Sequence, residues 1–218
     1  DPGRIWRLVD AHRVSFLGVA PTMIRTLMRY GLEPVRRHDL SSLRVTTSTG
    51  EAWTPEAWEW FFEHVCHRRL PFHNYSGGTE VSGGIVSTTM LHPAKPCSFY
   101  GPMPGSGADI VDAQGRPTRP GEKGELVMRQ PTIGNTRGLW KDTEGRFEDT
   151  YWKQIPGLWV HGDAAYRDAD GFWYITGRSD DVFNVAGKRT GPSEVESLLL
   201  GTGRLTMAAV IGAEDPLK

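Results

Sequence analysis

The sequence predicts a mixed α/β protein: part of a doubly wound sheet domain, then a β-rich subdomain, then the start of a small α+β domain. Three observations predict it. Strand-like and helix-like runs alternate strand, helix, strand, helix, strand through the first third of the chain. From Cys97 the pattern changes to short strands set between Gly and Pro turns, in keeping with 26 Gly and 15 Pro in 218 residues. A polar stretch, Gly177 to Asp181, then precedes a renewed strand and helix pattern. The boundaries expected from these changes are 1–96, 97–179 and 180–218.

Taken in order, Ile5 to His12 places Ile5, Trp6, Leu8 and Val9 at the spacing of a short amphipathic helix. Val14 to Val19 reads as a buried parallel strand. A helix follows from Thr22, with Ile24, Leu27 and Met28 as its core face and Gly31 as its left-handed stop. Leu43 to Thr47 is a second strand. Thr54 is placed to cap a helix that has Pro55 in its first turn, Trp58, Phe61, Phe62 and Val65 on one face, and an end near Arg69. Leu70 to Asn74 is a third strand. The β-rich part contributes strands at Ala108 to Val111, Gly124 to Met128, Leu158 to Val160 and Phe172 to Thr176. Beyond the polar stretch come a strand at Val182 to Val185, a helix from Pro192 or Ser193, and a strand at Ala208 to Ile211. No internal repeat or low-complexity tract interrupts this order.

Composition removes several classes of function. A formal net charge of -1 supplies no field that would gather nucleic acid, and Arg36–Arg37–His38 and Arg68–Arg69 read as solvated helix ends. The longest apolar run, Val14 to Val19, is far short of the roughly 18 residues that span a bilayer. Two cysteines, Cys66 and Cys97, cannot build a disulfide framework and fit a reducing, cytoplasmic location. His64, Cys66 and His67 lack a fourth ligand at zinc spacing. The opening Asp1–Pro2–Gly3 and the closing Asp215–Pro216–Leu217–Lys218 read as cuts in a longer chain.

Polar chemistry gathers in three places. Asn74–Tyr75–Ser76–Gly77–Gly78–Thr79–Glu80 follows a strand: paired glycines let a flat ring or phosphate approach the backbone, Thr79 offers a hydroxyl, and Glu80 can hold magnesium. A plain glycine turn with a solvated Glu accounts for the same residues equally well. Thr49–Gly50–Glu51–Ala52 joins a strand to a helix cap, which by itself is an ordinary connection. In His161–Gly162–Asp163 and Gly177–Arg178–Ser179–Asp180–Asp181, Asp163 could accept from both hydroxyls of a ribose and Arg178 could donate. The alternative is a surface salt-bridge cluster. Trp53, Trp58 and Trp60 read as core or interface aromatics.

Together these segments resemble a known family. Tyr75 to Glu80, then Trp159–Val160–His161–Gly162–Asp163, then Gly177 to Arg189 followed by Glu194 and Glu196, look in order and spacing like successive motifs of the adenylate-forming superfamily. Gly50–Glu51 before Pro55–Glu56–Ala57–Trp58, and Tyr174–Ile175–Thr176–Gly177–Arg178, are most similar to its acetyl-CoA synthetase branch. The resemblance implies that Gly50, Glu51 and Ala52, with Asn74, Tyr75 and Ser76, line an adenine pocket. Gly77 and Gly78 would lie along the nucleotide, Thr79 would meet the α-phosphate, and Glu80 would hold magnesium. Asp163 and Arg178 would take the ribose, Arg189 would lie near the phosphate, Asp180 would be the hinge of a mobile C-terminal domain, and Ala186 and Gly187 would meet coenzyme A. Ala52 stands where these synthetases usually carry proline.

The implied reaction is attack of a carboxylate on the α-phosphorus of ATP, expelling pyrophosphate, then attack of the coenzyme A thiol on the acyl-adenylate, releasing AMP. ATP, magnesium, coenzyme A and a carboxylic acid are the implied small-molecule partners. Neither the Ser/Thr/Gly-rich phosphate loop ending in Lys nor the late lysine of the family occurs among these residues, so the resemblance implies that this piece alone does not make acyl-adenylate. Gly77 occupies a position that is tryptophan in acetate-specific relatives, which implies an open acyl pocket and an acid larger than acetate. Competing readings are an adenylation domain that loads a carrier protein, and a non-catalytic nucleotide-binding module.

Overall fold

The computed structural model describes residues 1–181, 183–185, 188–202, 204–205 and 208–213. They form two compact units, Asp1–Ser106 with Thr132–Thr136, and Gly107–Pro131 with Arg137–Lys218.

In the first unit, α1 (Arg4–His12) buries Trp6 and Val9. It ends where Arg13 turns left-handed and the Val14 N–H closes onto the Val9 carbonyl at 3.0 Å. Strands β1 (Phe16–Val19), β2 (Val45–Ser48) and β3 (Phe72–Gly78) pair in parallel, Leu17 beside Thr46 beside Phe72. This register puts Leu17, Val19, Thr46, Ser48, Phe72 and Asn74 on one face, and all six are buried. Helices α2 (Pro21–Met28) and α4 (Pro55–His64) supply Ile24, Trp58 and Phe61 to the core below that face. Trp53 meets Phe72 edge-on at 5.4 Å, so the Trp53 and Trp58 expected as core aromatics are there.

Four local expectations change. β1 lies at the end of the sheet and alternates, with Phe16 60 % exposed, so it is covered on one face and not buried throughout. Thr54 occupies the N-cap position of α4 but makes no side-chain cap bond. That helix stops at His64 because the next turn carries His67 and Arg68 at positive φ, which no α-helix continues. A four-residue helix, α3 (Glu33–Arg36), follows the Gly31 stop and was not anticipated.

The largest revision concerns the glycine-rich segment. Expected as a loop from Asn74, it remains strand through Gly78, pairing antiparallel with β4 (Gly83–Ser87) across a bulge between Ser76 and Gly77. A 3-10 turn over Thr79–Val81, closed by Ser82 at φ 50, reverses the chain. β5 (Gly101–Pro102) pairs antiparallel with β4 and completes a five-stranded mixed sheet.

The second unit holds an antiparallel sheet of β6 (Ala108–Val111), β7 (Gly124–Met128), β8 (Trp159–Arg167) and β9 (Trp173–Arg178) in that order. Val111, Val127 and Val160 pack with Ile155, while Trp159 is fully buried and stacks on Tyr151 of α5 (Arg146–Tyr151) at 4.4 Å. β8 is much longer than the expected Leu158 to Val160, because Gly162 and a register shift at Ala164/Ala165 carry it past its polar residues. A hairpin of β10 (Phe183–Val185) and β11 (Lys188–Thr190) and a helix, α6 (Pro192–Gly201), follow. The strand expected at Ala208 to Ile211 is not formed: the Val210 N–H donates to the Glu196 carboxylate at 2.9 Å instead of to a ladder.

Candidate functional site

In the first unit the parallel register places Ser48 beside Asn74, so Gly50–Glu51–Ala52 leaves β2 next to the line along which β3 continues through Tyr75 and Ser76. The carboxyl ends of parallel strands are where such sheets bind ligands. Both segments expected around a base are therefore neighbours. The Glu51 side chain is already committed, however. It accepts from the Thr22 N–H at 2.9 Å and from the Thr22 hydroxyl, and pairs with Arg25 at 2.6 Å, so it serves as the cap that the first turn of α2 otherwise lacks. Burial pushes its carboxyl up, but Thr22 and Arg25 outweigh burial and hold it below the ordinary glutamate value. With that carboxylate committed, the loop's remaining exposed surface includes its backbone and the Ala52 methyl.

Asn74 is buried, its amide donating to the Ser98 carbonyl at 3.3 Å. Gly77 lies so close to β4 that a Cβ there would run into the Gly83 carbonyl and sit 2.7 Å from the Gly84 Cα. The space left by its missing side chain is occupied by backbone, so the cavity expected at this position is not produced by Gly77 alone. The Glu80 carboxylate folds back over the α-carbon of Gly78, beside the hydroxyl-bearing Thr79 of the same turn. Among the described residues no cluster of three or more His, Cys, Asp or Glu could hold a metal ion. One carboxylate fits magnesium that arrives on the phosphates of a nucleotide, since that ion keeps most of its shell from water and phosphate.

In the second unit Asp163 and Arg178 are direct partners in the register of β8 and β9. Asp163 is 7 % exposed, with Arg178 Nη1 at 3.5 Å and His161 Nε2 at 3.7 Å. Arg178 also donates to the His161 carbonyl at 3.2 Å and makes a two-pronged pair with Asp180 at 2.9 and 2.6 Å. The Asp180 carboxylate, foremost, raises Arg178 above its ordinary value, and Arg178 in turn lowers Asp180. The Asp163 carboxylate is withdrawn from water into the sheet, whereas Arg178 and Asp180, with side chains 44 % and 54 % exposed, form the surface salt bridge of the alternative reading. Arg189 lies in β11, and its side chain, like Ala186 and Gly187, is outside the described residues.

Sequence reasoning passed over two groups. Glu125 on β7 accepts from the Ser179 hydroxyl at 2.8 Å, and Thr22 with Arg25 holds Glu51. A carboxylate inside the otherwise apolar strand Gly124–Met128 was the signal for the first; the second joins residues 29 positions apart and had none.

The fold and these two polar groups define an α/β protein with backbone and a 3-10 turn at the ends of parallel strands, and a buried carboxylate facing an exposed guanidinium on an antiparallel sheet. The chain belongs to the AMP-binding enzyme family, which matches residues 1–140. It is 40 % identical to an acetyl-coenzyme A synthetase of Pyrobaculum aerophilum over 100 % of this chain and 33 % of that protein. It is 42 % identical to an acetyl-coenzyme A synthetase of Rubrobacter xylanophilus over 97 % of this chain and 33 % of that protein. The crystal structure of the anthranilate CoA ligase AuaEII in complex with anthranoyl-AMP matches with a TM-score of 0.79 and 27 % identity, covering 100 % of this chain and 40 % of that one. The chain thus spans about a third of the length of the curated relatives it matches. The family resemblance read from the motifs is borne out, as is the α/β fold class.

Proposed function

We propose that the chain is part of an AMP-forming acyl-CoA synthetase, which activates a carboxylic acid with ATP and passes the acyl group to coenzyme A. The observation that carries the nucleotide half is Asp163, a withdrawn carboxylate opposite Arg178. It offers acceptors for two neighbouring hydroxyls while the guanidinium offers donors beside them. The acid–thiol half is supported by relatives named for that activity, similar along the whole chain.

In this reading the backbone of Gly50, Glu51 and Ala52, with Tyr75 and Ser76, takes the adenine, while Asn74 fixes β3 from within. Thr79 donates to the α-phosphate and Arg189 lies near it. Glu80 would hold magnesium, whose chemistry is to neutralise charge on the phosphate oxygens. Asp180 is the hinge, Ala186 and Gly187 meet coenzyme A, and 1–96, 97–179 and 180–218 are the functional domains. A cytoplasmic location is part of the proposal.

The acid is proposed to be larger than acetate because position 77 lacks the tryptophan of acetate-specific relatives; since Gly77 itself opens no cavity, the room for it would have to come from residues around that position. The bulky exchange Gly77→Trp is not its test, because β4 backbone fills the Cβ direction and the variant would displace the strand. Comparing kcat/KM of the full-length enzyme for acetate, butyrate and hexanoate is. Preference for acetate refutes the larger acid.

For the nucleotide half, Asp163→Ala in the full-length protein should weaken ATP binding by at least about tenfold while the fold survives, since a charge-assisted hydrogen bond is worth roughly 1.5–3 kcal/mol. Unchanged ATP affinity with a lowered melting temperature would make Asp163 a structural acid and overturn the ribose assignment.

A further inference from the structure

Beyond the last rung of β9, the chain at Ser179 is tied down from both sides of one glycine. The Gly162 carbonyl accepts from the Ser179 N–H at 2.9 Å, and the Gly162 N–H donates to Glu125. Glu125 in turn accepts from the Ser179 hydroxyl at 2.8 Å. Gly162 has φ 85, and a Cβ on it would collide with the Arg178 guanidinium, so only glycine lets the loop close and the arginine lie across it. Glu125, Arg178 and Ser179 together border a cavity of about 580 Å³, with Lys123, Gln154 and Gly191. The segment therefore has open space beside it, and the Glu125 carboxylate that holds it stands at the edge of that space.

We propose that Glu125 is a positioning residue for the nucleotide site: by gripping Ser179 it fixes the start of the Arg178–Asp180 segment, and so the direction in which Arg178 faces Asp163. The inference rests on the reading of Asp163 and Arg178 as ribose ligands. The chemistry of the side chain favours it over a buried glutamate satisfied by a chance hydroxyl. A carboxylate is acceptor-only and can take the Ser179 O–H and the Gly162 N–H together, whereas a glutamine amide brings an NH2 that needs an acceptor of its own. The carboxylate is kept there despite Asp163 and Asp180 nearby, which oppose its charge. Breaking the Ser179 bond leaves Arg178 paired with Asp180 on a segment able to move into the cavity.

Two measurements test this. Amide exchange on the 218-residue chain reads the grip itself: the peptide covering 176–181 should exchange several-fold faster in Glu125→Ala and in Ser179→Ala, and no faster in the double variant, because two residues acting through one bond are not additive. Kinetics of the full-length enzyme read its purpose: Glu125→Ala should raise KM for ATP about threefold or more with KM for the acid unchanged, and Glu125→Gln should lie between it and the wild type. Unaltered exchange, additive effects, or a lowered melting temperature with KM for ATP unmoved would each overturn the proposal. Asp163→Ala is the control. If it weakens ATP while Glu125→Ala does not, the grip is refuted alone; if it leaves ATP binding intact, the nucleotide assignment falls and the positioning role with it.

Discussion

Glu125 and the two cysteines show how burial sets the chemistry of single residues. Burial pushes the Glu125 carboxyl above the ordinary glutamate value, the Ser179 hydroxyl and Gly162 N–H draw it down, and Asp163 and Asp180 push it up again, with a net rise. A carboxyl raised on folding holds its proton longer in the native state, so its contribution to stability is present at low pH and lost as pH rises through the raised value. Whatever its unmatched NH2 costs, Glu125→Gln should therefore gain in melting temperature relative to the wild type as pH rises, with the gain fading as pH falls towards 4.5. A gain that grows on acidification would refute this. Cys66, fully buried, has its thiol pushed up to about 11 by burial, and Cys97 is pushed to about 12 by burial and by Glu59. Thiolate is the reactive form. A disulfide reagent at pH 8 should find neither thiol in the folded chain and both after denaturation; rapid native labelling of either would show its environment to be more open than this.

Among the elements, α2 depends on a residue outside itself. Glu51, from the loop after β2, accepts from the backbone and side chain of Thr22, and Arg25 closes the group from the next turn. Loss of an N-cap costs about 1 kcal/mol, and with the Glu51 side chain 36 % exposed the ion pair with Arg25 adds little to that. Glu51→Ala should lower stability by about that amount in denaturant melts. Because the Glu51 carboxyl is held below its ordinary 4.5, its stabilisation is complete above that pH and is lost as pH falls through the lowered value. An acid limb as steep in Glu51→Gln as in the wild type would contradict this. Most helices and strands were legible because periodicity is local: Trp6 with Val9, and Trp58 with Phe61, mark their faces without any partner. The ends were less so. β3 was cut short at Asn74 because paired glycines usually break strands, while here Gly77 and Gly78 stay in the ladder since β4 brings its own Gly83 and Gly84 against them. The strand expected at Ala208 to Ile211 had the right composition and, among the described residues, no ladder to join. Asp163 and Arg178 were legible as neighbours because their motifs are, whereas the partners of Glu125 and of Glu51's carboxylate lie 54 and 29 residues away, where no local pattern records them.

At the scale of the molecule, the 218 residues carry the polar groups proposed to take a base and a ribose but not the Ser/Thr/Gly-rich loop or the late lysine of the synthetase reading. Adenylation is driven by positioning and charge stabilisation of the transferred group, and those absent parts would supply much of both. Pyrophosphate exchange by this chain should read background with any acid offered, while the full-length protein should show exchange that depends on ATP and acid. Clear exchange by the chain alone would show that it holds a phosphate-binding group other than those assigned.

The placement of β1 at the end of the sheet has a practical consequence for handling the chain in solution. Among the described residues its outer backbone edge has no strand partner, and Phe16 stands beside that edge with 60 % of its surface in water. An apolar edge without a charge, proline or bulge to blunt it is a template for a second copy, and only the shortness of β1, four residues, limits it. Self-association should rise with protein concentration in light scattering, and Phe16→Lys should reduce it without lowering the melting temperature, since that ring contributes nothing to the buried core.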